Sequence, residues 1–348
     1  MNFIPLPPEL AGLENRVQWV QQVNYNEYNM SCPNCGIDGT HKDGTPFSDS
    51  NPSDRFIVWI ESRISGKPFG MCRSCGWKWS SDKHDAIWTE EEKAAFAAKR
   101  RELNEREEER IRHYAETVVM KQKVYGKYMQ GMATSTYGKQ YLYNRGFTSD
   151  KWNHFFGFGI IEDFKCTGYM STYYTPAITI PIVGVSGLVE QVKLRVAEAK
   201  HEKDRFRNLY KTKTQHIYLP MREGKIYNKV AIFEGEFKSC TVAMDKAKNK
   251  SLPEDVQIIG TQGKGIGARM QYALENCEVI YLCLDPDTFI PNERGDTTIM
   301  QAAKKLGYDR VRIIPIKKQK ADDAILQGFN LRNAFNMAVK PSQLGLKG

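Results

Sequence analysis

Val230-Ala231-Ile232-Phe233-Glu234-Gly235-Glu236-Phe237-Lys238-Ser239-Cys240 is an apolar run that stops at a carboxylate and a glycine, then continues with helical spacing. It reads as a strand that delivers an acid to a turn. About fifty residues on, Val279-Ile280-Tyr281-Leu282-Cys283-Leu284 runs into Asp285-Pro286-Asp287 in the same way. In an open α/β sheet the ligand crevice lies outside the carboxyl ends of the strands, so Glu234, Asp285 and Asp287 are expected to face one cleft. Hard carboxylate oxygens, with no Cys or His among them, suit Mg²⁺ or Mn²⁺ bridging to substrate phosphates. Either motif alone is also what a helix cap or a turn uses.

Working outward, Val256-Gln257-Ile258-Ile259 is a further strand, leading into the glycine-rich run Gly260 to Gly267. The amides of that loop and Lys264 are candidates for approaching phosphates, ahead of a helix over 268–276. The flanking acids belong to a different pattern from a dinucleotide fold. A long loop, 288–296, precedes a helix over 297–306, and Val311 to Ile316 is the next strand. Lys320-Ala321-Asp322-Asp323 then adds two more acids, either of which suits a metal-facing role.

The chain has 348 residues, enough for two or three domains, and a net charge of +9 that favours a polyanionic partner. Between Lys193 and Lys225 there are ten Lys/Arg against four Asp/Glu, so this stretch supplies +6 of the +9. Eight cysteines in a chain of this length do not make a disulfide scaffold. The N-terminus lacks the basic start and apolar stretch of a signal peptide. The one long uncharged span, 166–189, carries Thr, Ser, Tyr and two prolines and reads as a buried β-rich core, not a membrane crossing. A cytoplasmic location, in a bacterial or phage-infected cell, follows as the expectation.

Cys32-Pro33-Asn34-Cys35-Gly36 and Cys72-Arg73-Ser74-Cys75-Gly76 are separated by 36 residues. Two such pairs suit one tetrahedral structural zinc bound by Cys32, Cys35, Cys72 and Cys75. A redox dithiol would need a thioredoxin-like context, which is absent. His41 and His84 read as surface or packing residues. Strands over 55–60 and 69–71 around a turn at Ser65-Gly66-Lys67 complete a zinc ribbon. Trp77, Lys78 and Trp79 are candidates for its exposed face, whereas Trp59 reads as core. From residue 89 to about 116 Glu, Lys, Arg and Ala dominate, with Glu102/Arg106 and Glu108/Arg112 at i,i+4, predicting a solvated connecting helix.

Beyond it the composition turns to Tyr, Gly and β-branched residues. A helix through Tyr141-Leu142 closes near Arg145-Gly146, and Phe155-Phe156-Gly157-Phe158-Gly159-Ile160 reads as a strand. Ala177 to Ile182 and Leu188 to Arg195 are strands across a glycine turn, followed by Lys203-Asp204-Arg205-Phe206-Arg207-Asn208.

The pairing of E-G-x-x-K after one strand with D-x-D after a later one resembles the Toprim domain. The Tyr-Leu-x-x-Arg-Gly, Phe-Gly-Phe-Gly, Ile-Pro-Ile and Arg-Phe-Arg-Asn order ahead of it resembles the catalytic core of DnaG-type primases. A four-cysteine N-terminus is similar to the primase half of phage primase-helicases. The resemblance implies an α+β and α/β multidomain chain: a zinc ribbon over 1–87, a charged helical linker over 88–116, a basic mixed α+β subdomain over 117–227, and a Toprim α/β sheet with a tail over 228–348. It implies a nucleotidyltransferase that copies single-stranded DNA into short RNA primers from NTPs, with one structural Zn²⁺ and catalytic Mg²⁺ or Mn²⁺. A pair of divalent ions would be held by Asp285, Asp287 and one of Asp322 and Asp323, with Glu234 binding metal or accepting the proton. Carried over by position, Arg145, Lys193, Arg195, Arg205 and Arg207 would contact template or nucleotide. Lys238 and Lys264 are further phosphate candidates. No Walker-type phosphate loop occurs, so a separate replicative helicase is the expected partner. The rival readings are a Toprim nuclease and a non-catalytic single-stranded-DNA-binding factor.

Overall fold

The computed structural model describes residues 10, 13, 20–32, 56–61, 68–72, 78–80, 90–119, 124–210, 216–263, 265–292, 296–316 and 319–344. Two compact units divide it, Met1–Glu105 and Arg106–Gly348.

The first unit contains a five-stranded antiparallel meander: β1 (Val20–Asn24), β2 (Glu27–Met30), β3 (Phe56–Trp59), β4 (Phe69–Cys72) and β5 (Lys78–Ser80). Met30, Phe56 and Cys72 face one another across three strands. Phe56 is fully buried with Met30, Val58, Leu10 and Leu13. Gly70 is required beside it, because a Cβ there would lie 2.5 Å from the Phe56 ring. Cys32 and Cys72, one from each Cys pair, are buried at this core, while Cys35, Cys75, Trp77, His41 and His84 lie outside the described residues. Trp59 is half-buried, stacks on Phe69 and donates to Glu27 Oε2 at 3.2 Å. Trp79, expected on an exposed face, is instead buried in the core, because a small meander has few other large side chains to fill it.

Helix α1 (Glu90–Tyr114) spans most of the expected connector. Its exposed early turns fit a solvated helix, but from Arg106 onward the helix belongs to the second unit. Ile111, Ala115 and Val119 are buried. Glu108, expected to pair with Arg112, accepts two hydrogen bonds from Arg269, at 2.6 and 2.7 Å. The same guanidinium reaches Glu190 at 2.7 and 3.0 Å, and Glu190 contacts His216 Nδ1 at 3.1 Å. Arg269 starts the helix Ala268–Ala273, 161 residues from Glu108 and 79 from Glu190, so no local spacing signals this buried network.

In the second unit come α2 (Val124–Thr134), α3 (Thr136–Tyr143) and α4 (Asp150–Phe156), then β6 (Gly159–Thr167), β7 (Thr172–Val183), β8 (Val189–Val196) and β9 (Phe206–Asn208) in one antiparallel sheet. The uncharged span thus supplies β7, whose last seven residues are all buried, as expected of a core strand. Phe155 and Phe156, expected in a strand, instead close α4. Gly157 takes φ 72° as its left-handed cap, and the strand starts only at Gly159. Phe156, Phe158 and Phe147 then pack ring to ring.

The last sheet is fully parallel, in the order β11-β10-β12-β13: β10 (Lys229–Glu234), β11 (Val256–Thr261), β12 (Val279–Cys283) and β13 (Val311–Ile313). Its crossover helices include α5 (Glu236–Asn249), α6 (Ala268–Ala273) and α7 (Thr298–Leu306), and the chain continues through α8 (Ala321–Leu326) and α9 (Leu331–Asn336). Alternation along β10 sends Ala231 and Phe233 into one core and Val230 and Ile232 into another, so both faces of the sheet are covered. The α+β multidomain class expected from sequence is the one observed. No described helix is long and apolar enough to cross a membrane.

Burial opposes ionisation of Glu190, but His216 and Arg269 outweigh it and hold the carboxyl below its ordinary value. Arg269→Met leaves that carboxylate without its main counter-charge and should cost about 3–5 kcal/mol in urea unfolding at neutral pH. Because a lowered carboxyl pKa stabilises only above the ordinary glutamate range, this loss should shrink as the pH falls through and below that range.

Candidate active site

β10 and β12 are hydrogen-bonded with Phe233 opposite Cys283, so Glu234 and Asp285 emerge together at the carboxyl edge of the sheet. Gly235 makes the turn possible. Its φ of 91° is a conformation side chains rarely adopt, and its N–H donates to Thr261 O at 3.0 Å as the chain enters α5. After Asp285 a short 3₁₀ turn, Pro286–Phe289, is tied back by Thr288 Oγ1 donating to Asp285 O at 2.6 Å. This leaves Asp287 exposed on the edge. Asp322 and Asp323 lie in the first turn of α8.

All five acids line one open cleft of about 620 Å³. The same cleft is lined by Arg145, Lys193, Arg195, Arg205 and Arg207, supplied by the antiparallel sheet and the turn after α3. Sequence reasoning therefore named both sides of it, and the structure brings them together. Lys264 lies outside the described residues, so its place is not among these.

Lys193 Nζ reaches both oxygens of Glu236, at 2.7 and 2.9 Å, with both side chains buried. Glu236 thus does more than complement the helix start: it anchors β8 to α5. Arg145 and Arg195 both donate through Nε to Tyr141 Oη, at 3.2 and 3.1 Å. Arg195 Nη1 is buried with no partner among the described residues. Arg205 pairs with Glu202, and Arg207 with the buried Asp204. Phe237 packs against Phe147 and Phe158, with ring centroids 5.8 and 5.3 Å apart, fixing the start of α5 between its two functional neighbours.

Phe206 was not singled out from sequence. It lies opposite Arg195 on the neighbouring strand, is 45% exposed, and holds Lys193 and Arg195 over its ring at 4.6 and 4.8 Å. The alternation Arg205-Phe206-Arg207 was the available signal, an aromatic set between cations as at single-strand stacking sites.

The acids do not stand alone. Lys238, one turn into α5, forms an ion pair with Asp285 Oδ1, and Lys320 lies 3.6 Å from Asp285 Oδ2. Among the described residues no three His, Cys, Asp or Glu side chains converge to hold a metal ion as they stand. Even so, the donors fit a hard divalent cation. Glu234 Oε2 and Asp322 Oδ1 are buried oxygens with no hydrogen-bond partner among the described residues. Burial, and the Asp285 charge beside it, push the Glu234 carboxyl up from its ordinary value. Burial also raises Asp322, against the pull of Lys238. Such oxygens are short of positive charge.

Several solved structures resemble the chain. The zinc-binding and RNA polymerase domains of the Aquifex aeolicus primase match at 13% identity and a TM-score of 0.48, over 95% of this chain and 83% of that one. A DnaG primase catalytic domain bound to ssDNA matches at 14% and 0.47, over 63% and 77%. The E. coli primase catalytic core matches at 15% and 0.46, over 62% and 78%. No protein-family profile matches the chain, and no curated protein does.

Because the Glu234 carboxyl is raised, its ionisation costs the folded state nothing at pH below the ordinary glutamate range and carries its full cost above the raised value. Glu234→Gln should therefore melt higher than wild type at pH 7, by on the order of 2 °C, with the gain vanishing toward pH 4 in paired thermal scans.

Proposed function

We propose that this chain is a primase-type nucleotidyltransferase that makes short RNA primers on single-stranded DNA from NTPs. The observation that carries the reading is the shared cleft: five carboxylates at the ends of parallel strands and on α8, facing five Lys/Arg side chains from a second sheet and the turns beside it. An acidic edge alone would suit many metal enzymes. A basic side alone would suit a binding protein. Both together suit joining a polyanionic template to a triphosphate whose reaction needs charge neutralised at the α-phosphate and pyrophosphate.

In this reading Glu234, Asp285, Asp287 and Asp322 hold Mg²⁺ or Mn²⁺, with Asp323 at the exposed rim. Bound there, the metal supplies Lewis-acid activation of phosphate. The chain's own residues do the rest. Arg145 and Arg195, both oriented by Tyr141, and Arg205 and Arg207, paired with Glu202 and Asp204, position template and nucleotide phosphates. Where Glu234 does not bind the metal, its unpartnered oxygen is the one suited to take the proton of the attacking 3′-hydroxyl. Phe206 offers a face for a base between two cations.

A structural zinc at Cys32, Cys35, Cys72 and Cys75 completes the reading for the first unit. The two described members are buried, Cys32 two residues beyond β2 and Cys72 at the end of β4, with β3 between those strands, and burial suits a closed structural site. The purified chain should contain one zinc atom by elemental analysis, and Cys72→Ser should lose it. A separate helicase is the proposed partner, recoverable by pull-down from the source replisome.

Incubation with single-stranded templates, labelled NTPs and Mg²⁺ or Mn²⁺ should give short template-dependent RNA, and Asp285→Ala should reduce it at least about 100-fold. Fragmented template without NTPs would point to a nuclease. Salt-sensitive DNA binding with neither product would point to a binding factor.

A further inference from the structure

The acidic edge carries its own cation. Lys238 is on α5, in the turn directly after the Glu234-Gly235 junction, and its ammonium is ion-paired with Asp285, which is itself buried. Lys238 is largely buried as well, its side chain 11% exposed, so this is not a surface lysine that happens to fall near an acid. Lys320, at the N-terminal cap of α8, approaches the other oxygen of the same carboxylate at 3.6 Å and is 57% exposed. Asp285 is the most enclosed of the five acids, and both its oxygens face ammonium groups.

The remaining acids are in the opposite condition. Glu234 and Asp322 each keep a buried oxygen without a partner among the described residues. The charge of Lys238 acts on both from its place beside Asp285. A single lysine therefore sits among three carboxylates, bonded to one and unbonded to two.

We infer that Lys238 is a resident cation that occupies the place of one divalent ion, so that the resting site takes a single Mg²⁺ or Mn²⁺, on Glu234 and Asp322. This rests on the nucleotidyltransferase reading of the cleft, revises the pair of metal ions expected from sequence, and takes Asp285 and Asp287 out of the acid set given above for the resting ion. The physical reason is competition at Asp285. A second divalent ion would have to break a buried ammonium–carboxylate pair and leave Lys238 enclosed beside a dication, at a cost the first ion does not meet. In return the ammonium supplies a fixed positive charge at the end of the cleft where phosphates are expected, without being lost to chelation. Lys238 is thus a positioning residue for Asp285 and a permanent share of the site's positive charge. Lys320, exposed and farther away, is the adjustable partner of the same carboxylate.

The test is the number of Mn²⁺ ions bound by the full chain, counted by electron paramagnetic resonance of free aquo-Mn²⁺ without nucleotide or DNA. Wild type should bind one in the cleft. Lys238→Met, which keeps the length and removes the charge, should bind two, because Asp285 becomes available. Lys238→Arg should stay at one. Asp285→Asn checks the assignment from the other side, since it should still bind one ion on Glu234 and Asp322. Two ions in wild type, an unchanged count in Lys238→Met at matched circular dichroism, no Mn²⁺ bound by any variant, or loss of the ion in Asp285→Asn would each overturn the inference. Primer synthesis measured on the same wild-type preparation keeps the two readings apart. An inactive chain that nonetheless passes from one ion to two on Lys238→Met retains the resident cation and loses only the primase assignment.

Discussion

The buried ion pair between Lys193 on β8 and Glu236 at the start of α5 ties the two sheets of the second unit together. With its hydrogen bonds at 2.7 and 2.9 Å and both partners enclosed, it sets a basic strand against the acidic edge of a parallel sheet. Its desolvation cost is large, and a pair of apolar side chains could bridge the same gap. What the charged pair adds is register: Glu236 follows the Glu234-Gly235 turn, so holding Glu236 also holds the carboxylate two residues before it. Phe237 reinforces the arrangement by filling the aromatic core formed by Phe147 and Phe158.

From that constraint the cleft acquires its two characters. The parallel sheet contributes carboxylates because strands that end at a turn leave their last side chains at the edge. The antiparallel sheet contributes cations because β8, though buried along its whole length, carries Glu190, Gln191, Lys193 and Arg195. Each of these is answered by a specific partner: Arg269, the Tyr210 carbonyl, Glu236 and Tyr141 respectively. A strand with this much buried charge is organised for a site on one side and for attachment of helix α1, through Glu108 and Arg269, on the other.

Much of this was legible in the sequence for a simple reason. Strand periodicity that runs into an acid and a turn residue is a local signal: Lys229–Glu234 ends at its acid, and Val279–Cys283 ends two residues before Asp285. The candidate acids and all the described candidate cations proved to line one cleft. The failures were of another kind. Phe155 and Phe156 look like strand residues, and only the left-handed cap at Gly157 assigns them to a helix. Trp79 looked suited to an exposed nucleic-acid face, but the small meander needs it as filling. The partners of Glu108, Lys193 and Lys238 lie 161, 43 and 47 residues away, and no local rule pairs charges at such separations.

The Lys193–Glu236 pair, by holding β8 against α5, holds acids and cations in register as one site. A double-mutant cycle on template-dependent primer synthesis, with Lys193→Met, Glu236→Gln and the double variant, tests it most directly. Each single change should lower the rate and the double variant should be no worse than the poorer single, giving a coupling energy of roughly 0.5–3 kcal/mol. Rate losses that simply multiply, or a wild-type chain that makes no primer, would contradict it.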